Sequence, residues 1–464
     1  MDRLTFDDAQ ILRLETEAIK GHTLKVLVLG PRPGGGRLEV DELRGAVERR
    51  LGHEPRARRR IVFPAGPAAD PAWAEDPDFD VANHVVAAEV EAPVDGPGLL
   101  EVASRLFEER LDHERPLWRV DVVPMTAGAT GLVMRIHHAL ADGITSQRFA
   151  RALVWDDEPG PPDPGGPGHG PVAEPSALGA ATRTATRRIA ELPGTVTGVV
   201  RGATDPSSWA RGAREVAKLP ATVARELLPL SSASVLDRKI GPRREIAVAW
   251  LDLDEVRGAA HLGSTRLGTH VTVNDILLTV VAGGLRSWLE AQGGSRGALR
   301  AQVTVSLHHR EEREELGNLD SFFNVDMRLD VEEPFERLRL VNLETTTRKE
   351  AGDAEELYDF FHAISRWGPL YRGVTRVASG ARDFALSVSN VPGPRQPVYV
   401  LGAPAHGYLS VAEPADRHAL RVSAVSYGNA LAIGLASDPD AVSGMPDLAH
   451  AIERAAAELA VALA

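Results

Sequence analysis

Gly131-Leu132-Val133-Met134-Arg135-Ile136-His137-His138-Ala139-Leu140-Ala141-Asp142-Gly143 is the stretch whose reading decides the fold. Residues 131–136 are mostly apolar and β-compatible and run straight into two histidines, while over 144–155 the apolar positions return to helical spacing. The histidines therefore sit on a strand-to-helix turn. Successive strand residues point to opposite faces, so one imidazole faces a channel while the other packs or hydrogen-bonds nearby. A histidine with a pKa near about 6.5 is partly neutral at physiological pH and can accept a proton from an alcohol attacking a carbonyl. Gly143 permits close backbone approach and a tight helix start, and Asp142 can hold the turn by bonding backbone donors or an arginine. The plainer reading is a pair of ordinary strand-end histidines. A metal held by His137, His138 and Asp142 is disfavoured, because two adjacent strand residues rarely bring both rings to one ion; no metal is expected.

Outward from this turn, the N-terminal part alternates elements. Helices are predicted over 7–17, 40–51 and 99–111, and strands over 24–29, 84–90 and 118–123. Residues 157–175 are too rich in Pro, Gly and acids for either element and mark a linker. The stretch 176–230 is helical in pattern and locally basic, with Arg183, Arg187 and Arg188 among its cations. A second alternating set follows: strands over 246–251, 302–307, 384–389, 420–426 and 431–436, a helix over 272–291 and a closing helix from Asp447. The stretch 261–270 reads as a long loop, and His308 and His309 as solvated strand-end residues. The expected organisation is an N-terminal domain over 1–156, a linker and basic connector over 157–242, and a C-terminal domain over 243–464.

The 464 residues exceed one ordinary core, and a hydrophobic share of 43% with 25% charged is that of a globular chain. A formal charge of −13 argues against a general nucleic-acid binder. The lack of cysteine removes disulfides, thiolate catalysis and cysteine-ligated metals. The first residues lack a secretory signal, and no apolar run reaches the ~20 residues of a membrane span. The expectation is a cytoplasmic protein with at most a peripheral seat on the inner face of the plasma membrane or on a lipid droplet.

His-His-x-x-x-Asp-Gly resembles the signature of the coenzyme-A-dependent acyltransferase superfamily, which includes chloramphenicol acetyltransferases, carnitine acyltransferases and peptide-synthetase condensation domains. Further segments, in order, are Arg115-Pro116-Leu117-Trp118, Val273-Asn274-Asp275, Leu316-Gly317-Asn318, Ser389-Asn390-Val391-Pro392-Gly393-Pro394 and Ser426-Tyr427-Gly428-Asn429. Together they are similar to the bacterial wax ester synthase/diacylglycerol acyltransferase family over nearly the whole chain. The resemblance implies an α/β fold with mixed sheets, in which two chloramphenicol-acetyltransferase-like domains enclose an active-site tunnel at their interface. It implies transfer of a fatty acyl group from acyl-CoA to a long-chain alcohol or diacylglycerol, with acyl-CoA as co-substrate and no cofactor. His138 takes the role of general base, and Asp142 orients the turn by pairing with an arginine. His137 and Gly143 belong to the same catalytic turn. Asn274 either assists the thioester or caps its helix. Pro116, Leu117, Trp118, Asp275 and Asn390 are assigned to the substrate-binding walls. The alternatives are an acyltransferase of this fold with a natural-product or sugar acceptor, and a silent lipid-binding homologue.

Overall fold

The computed structural model describes residues 2–4, 6–63, 71–141, 143–156, 234–294, 297–306, 320–352 and 384–464. In the first part of the chain β1 (Asp2–Arg3), α1 (Phe6–Leu14), β2 (His22–Leu29), α2 (Val40–Arg50), β3 (Arg59–Val62), β4 (Ala72–Glu75), β5 (Val85–Ala87), α3 (Gly96–Glu108), β6 (Trp118–Pro124), β7 (Thr130–His137) and α4 (Gly143–Leu153) follow one another. In the second part come β8 (Glu245–Asp252), α5 (Leu253–Leu267), α6 (Val273–Ala291), β9 (Arg300–Ser306), β10 (Asp320–Asp326), α7 (Pro334–Ala351), β11 (Leu386–Val391), β12 (Tyr399–Val400), β13 (Ala403–Val411), β14 (Leu420–Tyr427), β15 (Ala430–Ser437) and α8 (Met445–Leu463).

Two six-stranded mixed sheets carry the architecture, ordered β12-β13-β2-β7-β6-β5 and β10-β9-β11-β14-β15-β8, beside a small β1-β4-β3 sheet. The strand β7 is buried at every position because helices cover both faces of its sheet. On one face α3 comes so near that a Cβ at Gly131 would lie 2.5 Å from Leu99 Cδ1. On the other, Trp118 meets Phe149 of α4 edge to face. Arg135 sits in the middle of this apolar strand, its two terminal nitrogens donating to Asp121 at 2.9 Å, Glu109 at 3.1 Å and the Leu106 carbonyl at 2.9 Å. In the second part, α6 is buried almost all round and packs on α8 through Gly284, where a Cβ would meet Ile452 Cγ1 at 2.5 Å.

A simple cut between the two sheets does not describe the topology. After β11 the chain leaves the second sheet, adds β12 and β13 to the edge of the first beside β2, and returns as β14. The expected C-terminal domain over 243–464 thus lends two strands to the N-terminal sheet. The expected loop over 261–270 is corrected as well. Residues up to Leu267 belong to α5, capped by Asp252 accepting from the Asp254 and Glu255 amides and ended by Gly268 at φ 69°. The proposed linker over 157–175, the basic stretch over 176–230, and the segments Leu316-Gly317-Asn318 and His308-His309 lie outside the described residues.

Candidate active site

The antiparallel ladder of β2 and β7 sets His137 opposite His22. One step further, the His138 amide donates to the Gly21 carbonyl at 2.8 Å, and the His137 amide to the Leu117 carbonyl at 3.0 Å. The Leu140 and Ala141 amides then fold back onto the His137 carbonyl. This extended-then-turned backbone sends the two rings to opposite faces.

His137 is fully buried on the α3 face. Its Nε2 lies 3.1 Å from Glu15 Oε1, and its Nδ1 accepts from the Ala139 amide at 3.1 Å. An acceptor role for Nδ1 fixes the proton on Nε2, which donates to Glu15. His113 Nε2 lies 3.0 Å from the same Glu15 oxygen and Arg110 Nε 3.5 Å from the other. Burial alone would raise the Glu15 pKa, but the hydrogen bonds from His113 and His137 outweigh it and bring it down to about 2. Burial pushes the His137 pKa below the usual histidine value, and Glu15 resists only in part.

His138 is half-buried on the other face. Desolvation comes first, and coulombic repulsion from His137, Arg421 and Lys25 would add to it on protonation, so its pKa is lowered to about 3 and the ring is neutral. Lys25 is itself buried and donates to Ser410 Oγ at 2.7 Å, while Arg421 comes from β14 of the second sheet.

The turn is also braced from the far end of the sequence. Glu413, just beyond β13, accepts from the Lys20 amide at 2.9 Å, the Gly21 amide at 2.8 Å and Arg244 at 2.9 Å. Gly21 has a φ of 74°, and a Cβ there would overlap His137 Nε2, so only glycine fits. Across the two parts, Gln147 of α4 donates to the Pro392 carbonyl at 3.1 Å, which brings the Ser389–Pro394 segment against the helix that follows the turn.

The other candidate residues divide. Leu117 holds His137 through its carbonyl, Pro116 is buried beside it, and Trp118 donates its indole N–H to the Ala57 carbonyl at 2.8 Å while stacking on His84. These three form the wall behind the turn. Asp275 is the N3 residue of a capping box with Thr272, and its carboxylate also receives Asn342 at 3.2 Å and Thr345 at 2.6 Å. Its oxygens are hydrogen-bonded to the α6 N-terminus and to α7. Asn274 is half-buried one position before it, with Thr272 as the residue that caps. Asn390 is half-buried on β11, paired with Ala424. Asp142 lies outside the described residues, and Gly143 opens α4.

Glu15, Gly21, Lys25 and Glu413 escaped the sequence reading. Lys25 left a signal, a lone cation inside an apolar strand; the others left none.

Glu15, His113 and His137 place three metal-capable atoms within 4.8 Å of one another. The hydrogen bonding suits protons instead. A metal on His137 Nε2 would move the proton to Nδ1, where the Ala139 N–H already points. A cavity of about 790 Å³ opens at the seam of α3, β8 and α8, lined by Val26, Val28, Leu99, Ile246 and Trp250 among others. Val26 and Val28 project from the His137 side of the sheet, so this space lies on the face away from His138.

Two mixed sheets are linked by the crossing strand β13, and the His-His turn lies at the end of β7 in the first of them. The sequence model of the wax ester synthase/diacylglycerol acyltransferase catalytic domain matches residues 4–277, and that of the WS/DGAT C-terminal domain residues 316–460. The chain belongs to this family and is an acyltransferase. A Mycobacterium tuberculosis protein named as a diacylglycerol O-acyltransferase is 30% identical over 86% of this chain and 84% of its own length. Another from the same organism, also so named, is 27% identical over 94% of this chain and 93% of its own. The solved wax ester synthase/diacylglycerol acyltransferase of Marinobacter aquaeolei VT8 superposes with a TM-score of 0.70 at 21% identity, covering 100% of both chains. The first condensation domain of the CDA synthetase superposes at 0.56 and 15% identity, over 99% of this chain and 96% of that one.

Proposed function

We propose that this acyltransferase moves a fatty acyl group from acyl-CoA to a long-chain alcohol or diacylglycerol, forming a wax ester or triacylglycerol, with His138 as general base. The observation that carries the reading is the half-buried His138 ring just after β7, on the side of the turn away from His137. Its lone pair takes the proton of the acceptor hydroxyl as the oxygen attacks the thioester carbonyl. The C–O bond forms, the carbonyl π electrons move to oxygen, and collapse expels the CoA thiolate, which takes the proton back from His138. The positive field of Lys25 and Arg421 supports this cycle in two ways. It favours negative charge on the carbonyl oxygen, and it disfavours a lasting imidazolium, so the proton is returned. Acyl transfer is direct, with no acyl-enzyme and no resident metal or cofactor. Because acceptor and product are water-insoluble, the reaction is placed at a lipid surface.

The test is a panel of hexadecanol, dipalmitoylglycerol, sugars and polar natural-product alcohols with palmitoyl-CoA, read by product mass for wild type and His138→Ala, before and after dialysis against a chelator. Ester formation with the lipid alcohols, its loss in His138→Ala and indifference to the chelator are expected. Transfer only to polar acceptors, or no transfer at all, overturns the substrate class. Full activity in a folded His138→Ala protein overturns the base, and activity lost to the chelator and restored by a divalent ion overturns the metal-free reading.

A further inference from the structure

We infer that Glu15 is a positioning residue for acyl transfer, acting through His137 on the turn that carries His138; the inference rests on the reading of His138 as the base. The peptide groups on either side of His138 are each pinned by one hydrogen bond. The His138 amide is held by the Gly21 carbonyl at 2.8 Å, and the Ala139 amide by His137 Nδ1 at 3.1 Å. Rotation of either peptide would swing the His138 ring on its Cα–Cβ bond. The first hold is backbone to backbone, but the second exists only while His137 Nδ1 keeps a lone pair.

That condition is set by Glu15. With its carboxylate oxygen 3.1 Å from Nε2, the proton of His137 belongs on Nε2 and Nδ1 is left as the acceptor. In the other tautomer Nδ1–H would face the Ala139 N–H, and the Glu15 oxygen would face a lone pair. Both contacts would be repulsive. Glu15 is in turn held from its outer side by His113 at 3.0 Å and Arg110 at 3.5 Å. Its own side chain is only 4% exposed, so water does not replace it. Glu15 directly follows α1, 122 residues from His137, and lies on the His137 side of the turn, away from the side on which the reaction is proposed.

The experiment compares wild type, Glu15→Ala, Glu15→Gln and His138→Ala with palmitoyl-CoA and hexadecanol, and repeats the Glu15 substitutions in a His137→Asn background. An asparagine amide oxygen can take the place of Nδ1 as acceptor for Ala139 without needing Glu15. Glu15→Ala is expected to lower kcat by about 100-fold, as a displacement of about 1 Å does, with KM for palmitoyl-CoA little changed. Glu15→Gln keeps an acceptor oxygen and should recover to within about tenfold of wild type, and in the His137→Asn background either substitution should change kcat by less than about twofold. Nitrogen-15 spectra of labelled histidine give a readout independent of turnover: His137 as a single Nε2–H tautomer in wild type and Glu15→Gln, and a mixture in Glu15→Ala. Wild-type kcat in Glu15→Ala, the same loss in both backgrounds, or an unchanged His137 tautomer overturns the inference. If Glu15→Ala does not fold, the comparison of Glu15→Gln between the two backgrounds decides in the same way. Turnover by His138→Ala sinks the base reading instead, and the tautomer spectra still decide whether Glu15 governs His137.

Discussion

Replacing Glu413 by alanine removes the acceptor that ties the end of the crossing strand to the His137-His138 turn. Three donors lose a partner, the Lys20 and Gly21 amides and the Arg244 guanidinium. Both side chains of the ion pair are almost wholly enclosed, at 0% exposed for Arg244 and 5% for Glu413. Breaking a buried pair from one side costs about 3–5 kcal/mol. Two features bring the estimate toward the lower end. Arg244 keeps the carbonyls of Ala18, Gly241 and Arg243 as acceptors, so its charge is not stranded. Burial also raises the pKa of Glu413 against the pull of Arg244, so part of the Coulomb gain is already spent on desolvation. About 3 kcal/mol remains, a shift of about 1 M in urea midpoint for an m-value near 3 kcal/mol/M. The neighbouring Arg243–Asp440 pair is the control. It is 58% and 63% exposed, and Arg243→Ala should change stability by at most about 1 kcal/mol. Urea unfolding followed by tryptophan fluorescence, with kcat measured on the same preparations, reads both. Glu413→Ala with the midpoint of Arg243→Ala and full kcat would refute the view that the buried carboxylate braces the turn.

Other outcomes follow from the same geometry. His137→Ala, unlike His138→Ala, should keep measurable ester formation in a product-mass assay, because its ring faces Glu15 and not the side on which the reaction is proposed. Gly393→Ala should lower the thermal midpoint sharply, since its Cβ would overlap the Ser426 carbonyl, a backbone atom that cannot rotate away; overpacking of this kind costs about 1–3 kcal/mol. Acid should destabilise the protein from about pH 6.5 downward. The pKa values of His22, His84, His137 and His138 are all lowered, so the unfolded chain takes up protons that the folded one refuses, at up to about 1.4 kcal/mol per pH unit for each histidine. The raised pKa values of Glu54 and Glu413 act in the opposite sense, but two carboxylates face four histidines, so the urea midpoint at pH 5.5 should fall below that at pH 7.5.

The sequence was legible wherever period and punctuation agreed. β7 was expected over 131–136 and spans Thr130–His137, and α6 was expected over 272–291 and spans Val273–Ala291 with Thr272 as its cap. It misled where tertiary packing overrode composition. Gly263 and Gly268 made 261–270 look like a loop. Yet Gly263 is what lets α5 approach Leu338, at 3.2 Å from where its Cβ would be, and Gly268 is the helix's left-handed stop. The capping signals Glu333 and Pro334 before α7 were present and went unread. Of the site, the His137-His138 turn could be found because its residues are contiguous. Glu15 is joined to it across 122 residues, and Glu413 to Gly21 across 392, through a strand crossing that no local pattern announces.

The proton affinity of His138 therefore belongs to the assembled protein and not to its motif. Of the positive charges that hold its pKa down, Lys25 comes from β2 in the first sheet and Arg421 from β14 in the second, and burial, the largest cause, needs both sheets in place. The crossing strand β13 serves the same end twice, with Ser410 taking the Lys25 ammonium and Glu413, just beyond it, holding the backbone on which His138 is hung. A relative could keep every residue of His-His-x-x-x-Asp-Gly and still carry a histidine of different basicity, if a change at β13 or β14 altered the field around it. The motif places the histidine, and the way the second part of the chain closes on the first decides how readily it takes a proton.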